Sequence, residues 1–141
     1  MLYINGEWVN SSNGKTFESI NPATGEVLGE VADGTREDAK RAIDAAEDAF
    51  QSWSGLTAFE RSNYLYRVYQ LMIEKKEELA ELMTKEQGKP LKASRNEVQY
   101  AADFLIWYAE EAKRVYGDVL PAPRSDQRFI LLRQPVGVVG A

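Results

Sequence analysis

A change of hydrophobic period at Thr35 sets the strongest limit on the fold. Before it, apolar residues alternate and are interrupted by turn chemistry; after it, they recur every three to four residues. Leu2-Tyr3-Ile4 and Trp8-Val9 flank Asn5-Gly6, a dipeptide that supplies the positive φ angles of a two-residue hairpin turn. Thr16 to Ile20 and Glu26 to Val31 alternate on either side of Asn21-Pro22-Ala23-Thr24-Gly25, which predicts a second hairpin-like pair. Thr35-Arg36-Glu37-Asp38 then has the form of a capping box, with Ala39, Ile43, Ala46, Phe50 and Trp53 on one face of a first helix. Thr57-Ala58-Phe59-Glu60 opens a second helix carrying Leu65, Val68, Leu71 and Met72, and Lys75-Lys76-Glu77-Glu78 marks a break before Leu79, Leu82 and Met83. Gly88-Lys89-Pro90 stops that run and starts a long helix through Val98, Ala101, Ala102, Leu105, Tyr108, Ala109, Ala112 and Val115, expected to end at Gly117.

Past Gly117, Pro121-Ala122-Pro123 reads as a linker and Arg128 to Arg133 as a strand. Val136, Val138 and Val139, spaced by Gly137 and followed by Gly140, read as a short buried strand entering a turn. Neither strand has an obvious partner in the chain, and an unpaired strand presents open backbone N–H and C=O groups at its edge. The expected layout is α/β, with two hairpins, about four helices, an extended arm and a final strand that begins a larger sheet.

Composition removes most catalytic chemistry. With 44% hydrophobic and 28% charged residues the 141-residue chain fits a folded domain and not a disordered one. A net charge of −5 without a basic run argues against nucleic-acid or anionic-membrane partners. No apolar stretch reaches the length of a membrane span, and Met1 to Asn5 lacks the basic and apolar regions of a signal peptide, so a cytoplasmic location is expected. The chain has no Cys and no His, hence no thiolate nucleophile, imidazole base, disulfide or ordinary zinc site. Glu110-Glu111 and Glu77-Glu78 do not make a carboxylate dyad, because adjacent helical residues point about 100° apart. Lys75, Lys76, Lys85, Lys89 and Lys92 are interspersed with Glu74, Glu77, Glu78, Glu81 and Glu86, the pattern of paired surface charge and not of a phosphate site.

The order of landmarks resembles the N-terminal part of the aldehyde dehydrogenase superfamily. "INPATGEVLGEV", "TREDAKRAIDAAEDAFQSW", "ERSNYL", "LMTKEQGKP", "YAEEAKRVYGDVLP" and "RQPVGVVGA" occur in family order and cover essentially the whole chain. "EQGKP" and "YAEEAKRVYGD" are most similar to the succinate-semialdehyde dehydrogenase branch. The resemblance implies a longer parent that oxidises an aldehyde to an acid with NAD or NADP. There a cysteine thiolate adds to the carbonyl, a glutamate activates the releasing water, and an Asn and a backbone amide stabilise the oxyanion. By this resemblance none of these groups can be placed in the chain, so no catalytic or cofactor-binding residue is assigned here; the chain by itself is expected to be inactive and to bind no cofactor.

By the same resemblance, residues 1–123 are the outer part of the NAD(P)-binding domain. Residues 124–134 are an arm in which Phe129, Ile130, Leu131 and Leu132 join an intersubunit sheet of a dimer or tetramer, and residues 135–141 begin a Rossmann-like sheet. Glu86 and the main-chain carbonyl of Ile20 match a monovalent-cation site; a solvated or helix-terminal glutamate is the plain alternative. Glu97, Tyr100, Ala101 and Phe104 share one stripe of the last helix, which in the family borders the substrate tunnel; plain core packing is the alternative. Gly137-Val138-Val139-Gly140 holds only two glycines of a dinucleotide fingerprint and is weak evidence of one. A different class of function, a self-standing assembly module that adds the 128–133 strand to a partner sheet, also fits the unpaired arm.

Overall fold

The computed structural model describes residues 1–141. Asn5 and Gly6 both take positive φ, 52° and 81°, and close the hairpin of β1 (Leu2–Ile4) and β2 (Glu7–Val9). Strands β3 (Thr16–Ile20) and β4 (Val27–Ala32) pair antiparallel, with a register shift between Ser19 and Ile20. Four helices follow: α1 (Arg36–Ser54), α2 (Ala58–Glu74), α3 (Lys76–Gln87) and α4 (Leu91–Glu111). The break at Lys75 falls where the charge run places it, and both expected capping boxes form, Thr35 with Asp38 and Thr57 with Glu60.

The core is a seam of small residues. Ala80 of α3, Ser62 of α2, and Ser94, Val98, Ala102 and Ala109 of α4 are all buried. Short side chains let helix backbones approach closely, so α4 lies against both α2 and α3. Helices α3 and α4 run antiparallel: the Thr84 and Ser94 hydroxyls meet at 2.8 Å, Lys76 Nζ donates to Gln99 Oε1 at 2.8 Å, and Arg95 Nε donates to both oxygens of Glu77. That guanidinium pulls the Glu77 carboxyl below its ordinary pKa. Gly88, at φ 72°, turns the chain between them. A Cβ there would stand 2.8 Å from Pro22 Cγ, so the β3–β4 turn rests directly on this glycine.

The N-terminal loop is tied to α1 through Asp38. Its carboxylate accepts from Thr35 N at 2.9 Å, from Thr35 Oγ1 at 3.0 Å and from Ser12 N at 3.1 Å, and Arg41 lies 3.4 Å away. The backbone N–H groups of Thr35 and then Ser12 favour the charged form most and hold its pKa at about 2, against 3.8 ordinarily.

Several expectations need correction. The long helix ends at Glu111, not Gly117, and gives way to a 3-10 turn, Ala112–Arg114. The arm is not without a partner: β6 (Phe129–Leu131) pairs antiparallel with β5 (Asp118–Leu120), which lies just before the Pro121-Ala122-Pro123 linker. Gly117 permits this pairing, since a Cβ there would sit 2.4 Å from the Leu131 carbonyl oxygen. Val136, Val138 and Val139 form no strand within this chain, and Val136 is 90% exposed. A strand needs a neighbour to receive its backbone hydrogen bonds, and none of the three two-stranded sheets offers it one.

The first helix also departs from its amphipathic pattern, for Ala39, Ile43 and Ala46 face solvent. The chain exposes 11040 Å², whereas a compact 15.9 kDa monomer exposes about 7,400 Å². Large apolar faces are therefore uncovered in this chain.

Asp38 generates a pH prediction. Its folded pKa lies below its unfolded value, so its contribution to stability is complete above about pH 4 and disappears as pH falls through about 2. Acid unfolding followed by circular dichroism is expected to show this limb, and Asp38→Asn is expected to lower stability at pH 7 while flattening the dependence between pH 4 and 2.

Candidate functional site

Helix α4 has two faces of different character. Ser94, Val98, Ala102 and Ala109 point into the seam with α2 and α3. About a third of a turn around, on average, lie Glu97, Tyr100, Ala101, Phe104, Trp107 and Tyr108, all exposed. Tyr100 is 64% exposed and Phe104 45%, so the stripe is not core in this chain. Ala101 and Tyr108, which helical period assigned to the packed face, lie beside Ser94 around the helix and are exposed because no other element of this chain covers that side.

The rings order one another. Tyr100 and Phe104 meet edge to face at 4.8 Å, and Phe104 and Tyr108 stack at 6.4 Å. Tyr100, Phe104, Trp107 and Tyr108, with Asp103, line a shallow depression of about 240 Å³. Glu97, at the N-terminal end of the stripe, is ion-paired with Lys89, which comes from the turn before the helix. The result is an aromatic wall with a neutralised carboxylate at one end. Such a wall can exclude water from an apolar chain laid along it, and Asp103 is the one carboxylate in its lining.

The two residues proposed for a cation sit at element ends. Ile20 closes β3 and Glu86 lies in the last turn of α3, and the Pro22–Gly88 contact sets the β3–β4 turn against that helix end. Asn21 fixes the turn, accepting at Oδ1 from Ala23 N at 3.0 Å while its own N–H donates to Glu26 O at 2.8 Å. Glu86 is exposed, and no group of three or more Asp, Glu, His or Cys side chains in the chain is arranged to hold a metal ion. A carboxylate and one carbonyl are two oxygen ligands, short of a complete cation shell.

Cβ atoms added at Gly137 and Gly140 would meet nothing within 4 Å, so neither glycine is held by a close contact within these 141 residues. In the arm, Phe129, Ile130, Leu131 and Leu132 are exposed, with β6 bound on one edge by β5.

Residues 8–141 match the family described as aldehyde dehydrogenases. The chain belongs to the aldehyde dehydrogenase family. It is 52% identical over 139 residues to glutarate-semialdehyde dehydrogenase of Pseudomonas putida and 46% identical over 138 residues to an NADP(+) succinate-semialdehyde dehydrogenase of Escherichia coli. These alignments cover 99% and 98% of this chain but 29% of each relative. The crystal structure of succinate-semialdehyde dehydrogenase from Burkholderia pseudomallei superposes with a TM-score of 0.92 at 44% identity, covering 96% of this chain and 28% of that one. The chain thus spans under a third of the length of the aldehyde dehydrogenases it matches, and its mixed α/β layout is that of their N-terminal part.

Sequence reasoning missed two features that the structure brings together. One is the Asp38 link to Ser12, which joins residues 26 positions apart and leaves no periodic trace. The other is a groove where Trp53, Arg61 and Arg133 converge from α1, α2 and the C-terminal segment. It leaves no signal in the sequence: Arg67 and Arg128 lack an acid three or four residues away just as Arg61 does, and Arg133 lies outside every helix.

The two faces of α4 predict opposite responses to truncation. Val98→Ala, at 2% exposure, is expected to cost about 2 kcal/mol in urea unfolding. Tyr100→Ala is expected to cost under about 0.5 kcal/mol. Equal losses would place the aromatic stripe in the core.

Proposed function

We propose that this chain is the N-terminal portion of an NAD(P)-dependent semialdehyde dehydrogenase that acts in the cytoplasm as a dimer or tetramer and oxidises succinate semialdehyde to the diacid. The observation that carries this reading is the family match over residues 8–141 combined with an ordered aromatic face on α4 that the chain leaves uncovered. Relatives whose names specify glutarate and succinate semialdehydes support an ω-aldehyde acid as the substrate class.

In this reading the chain supplies surroundings and not reacting groups. It has no Cys, so the nucleophile comes from elsewhere in the enzyme. Tyr100, Ala101 and Phe104 border the path of the aldehyde, with Glu97 held aside by Lys89 so that its charge does not repel an anionic substrate. Glu86 and the Ile20 carbonyl hold a monovalent cation with ligands from beyond this chain, bracing the β3–β4 turn. The β5–β6 hairpin, extended by Leu132, carries the free edge that joins a neighbouring subunit. Residues 135–141 enter the nucleotide-binding sheet, which gives Val136, Val138 and Val139 the partners they lack here. Strand addition by the 128–133 arm as a self-standing function is the competing reading, and the β5–β6 pairing leaves one edge of β6 open to it.

Two measurements test the proposal. The purified 141-residue chain is expected to form no NAD(P)H with succinate semialdehyde; aldehyde-dependent reduction by this chain would refute the division of roles. In the enzyme containing it, Tyr100→Ala is expected to raise the KM for the aldehyde several-fold, on the order of 1 kcal/mol of lost apolar contact. The KM for the nucleotide is expected to stay unchanged, and equal shifts in both would remove the residue from the substrate path.

A further inference from the structure

We propose that the groove between the C-terminal ends of α1 and α4 binds a small organic anion with an aromatic or aliphatic body. It has two lobes, of about 600 and 560 Å³, which share Trp53, Arg61, Val115 and Arg133. That size lies within the range of sites that take small molecules, roughly 300–1,000 Å³.

The charge of the groove selects its ligand. Arg41, Arg95, Arg114 and Arg124 each form an ion pair, whereas Arg61, with Glu60 beside it in sequence, and Arg133 form none, as is also true of Arg36, Arg67 and Arg128 outside the groove. Arg61 donates instead to the Leu56 carbonyl, and Arg133 Nε donates to the Tyr116 carbonyl at 3.0 Å. One N–H of each guanidinium is thus fixed to backbone, which limits its rotation and leaves further donors of the fork unused. Glu111, the acid on the groove wall, is neutralised by Arg114 at 3.1 Å. Two guanidinium groups without an ion pair therefore face one cleft in a chain whose net charge is −5.

The apolar lining selects the body. Trp53 is 44% exposed, and Tyr64 packs against it with ring centroids 5.5 Å apart, so the indole is held in place with surface left to stack on. Leu65 and Val115 continue the lining in one lobe, and Phe50 and Leu56 in the other. An inorganic anion would use the guanidinium groups and leave this lining wet. A carboxylate or sulfonate on a ring or short chain uses both.

The test is a fluorescence titration of the 141-residue chain with 8-anilinonaphthalene-1-sulfonate, with the tryptophan indole N–H resonances followed by NMR to locate the site. Saturable one-to-one binding that moves the Trp53 resonance is expected. Arg61→Gln, which removes a half-buried charged donor, is expected to weaken binding about tenfold. Arg133→Gln, on the exposed rim, is expected to weaken it about threefold and guards against misfolding of the first variant. Arg67→Gln, on the outside of α2, is expected to change nothing. The uncharged analogue N-phenyl-1-naphthylamine is expected to bind at least about tenfold more weakly. The proposal is overturned if both groove variants bind as the parent does, if the uncharged analogue binds as tightly, if equimolar inorganic phosphate displaces the sulfonate, or if Trp107 moves in place of Trp53.

Discussion

The close approach of α2 and α3 to α4 holds the molecule together, and it depends on how little side chain lies between them. Ala80, Ala102 and Ala109 contribute a methyl group each, and Ser62 and Ser94 a hydroxyl. Ser94 satisfies its hydroxyl with Thr84, so the seam stays closed without an unpaired buried polar atom. A larger residue at Ala80 or Ala102, both without accessible surface, would force the helices apart. Because the inner face of α4 is committed to this seam, its outer face is free to carry large rings. The aromatic stripe and the tight core are two sides of one helix and follow from one division of its sequence.

The β-hairpins are attached by polar and local contacts more than by burial. Asp38 serves at once as the third residue of a capping box and as the acceptor for Ser12, so the start of α1 and the loop after β2 are ordered together. At the other end, Pro22 against Gly88 seats the β3–β4 turn on the α3–α4 connection. Both junctions join strand-rich and helical parts through backbone N–H groups or a glycine, places where a larger or uncharged substitute has no room or no function.

Local chemistry was legible in the sequence and its tertiary consequences were not. Asn5-Gly6, the two Thr-headed capping boxes, the break at Lys75 and the turn at Gly88 each carry their own geometric instruction, and each forms where it is written. Period marks which face of a helix is apolar, but it does not say what covers that face, so Ile43 and Tyr108 read as core and stand exposed. The β5–β6 pairing escaped because Asp118–Leu120 is too short to show alternation and because its enabling residue, Gly117, reads equally well as a helix stop. For the candidate site, the stripe on α4 was legible as a stripe; its outward direction came only from the packing of the opposite face. The Arg61–Arg133 groove had no local signature, since its walls come from positions as far apart as Trp53 and Arg133.

The scarcity of interior has a thermodynamic consequence. Only nine of the 141 residues are buried, and four of those are Ser or Asp, so unfolding releases little hydrocarbon to water beyond what the folded chain already shows it. The heat-capacity increment, which tracks newly wetted apolar area, falls below the about 12–15 cal/mol/K per residue of ordinary domains. A small increment flattens the dependence of stability on temperature, and the same deficit makes unfolding respond only gently to urea. On its own the chain therefore melts over a broad range, and the sharp cooperative transition of a dense protein comes with whatever covers its open faces.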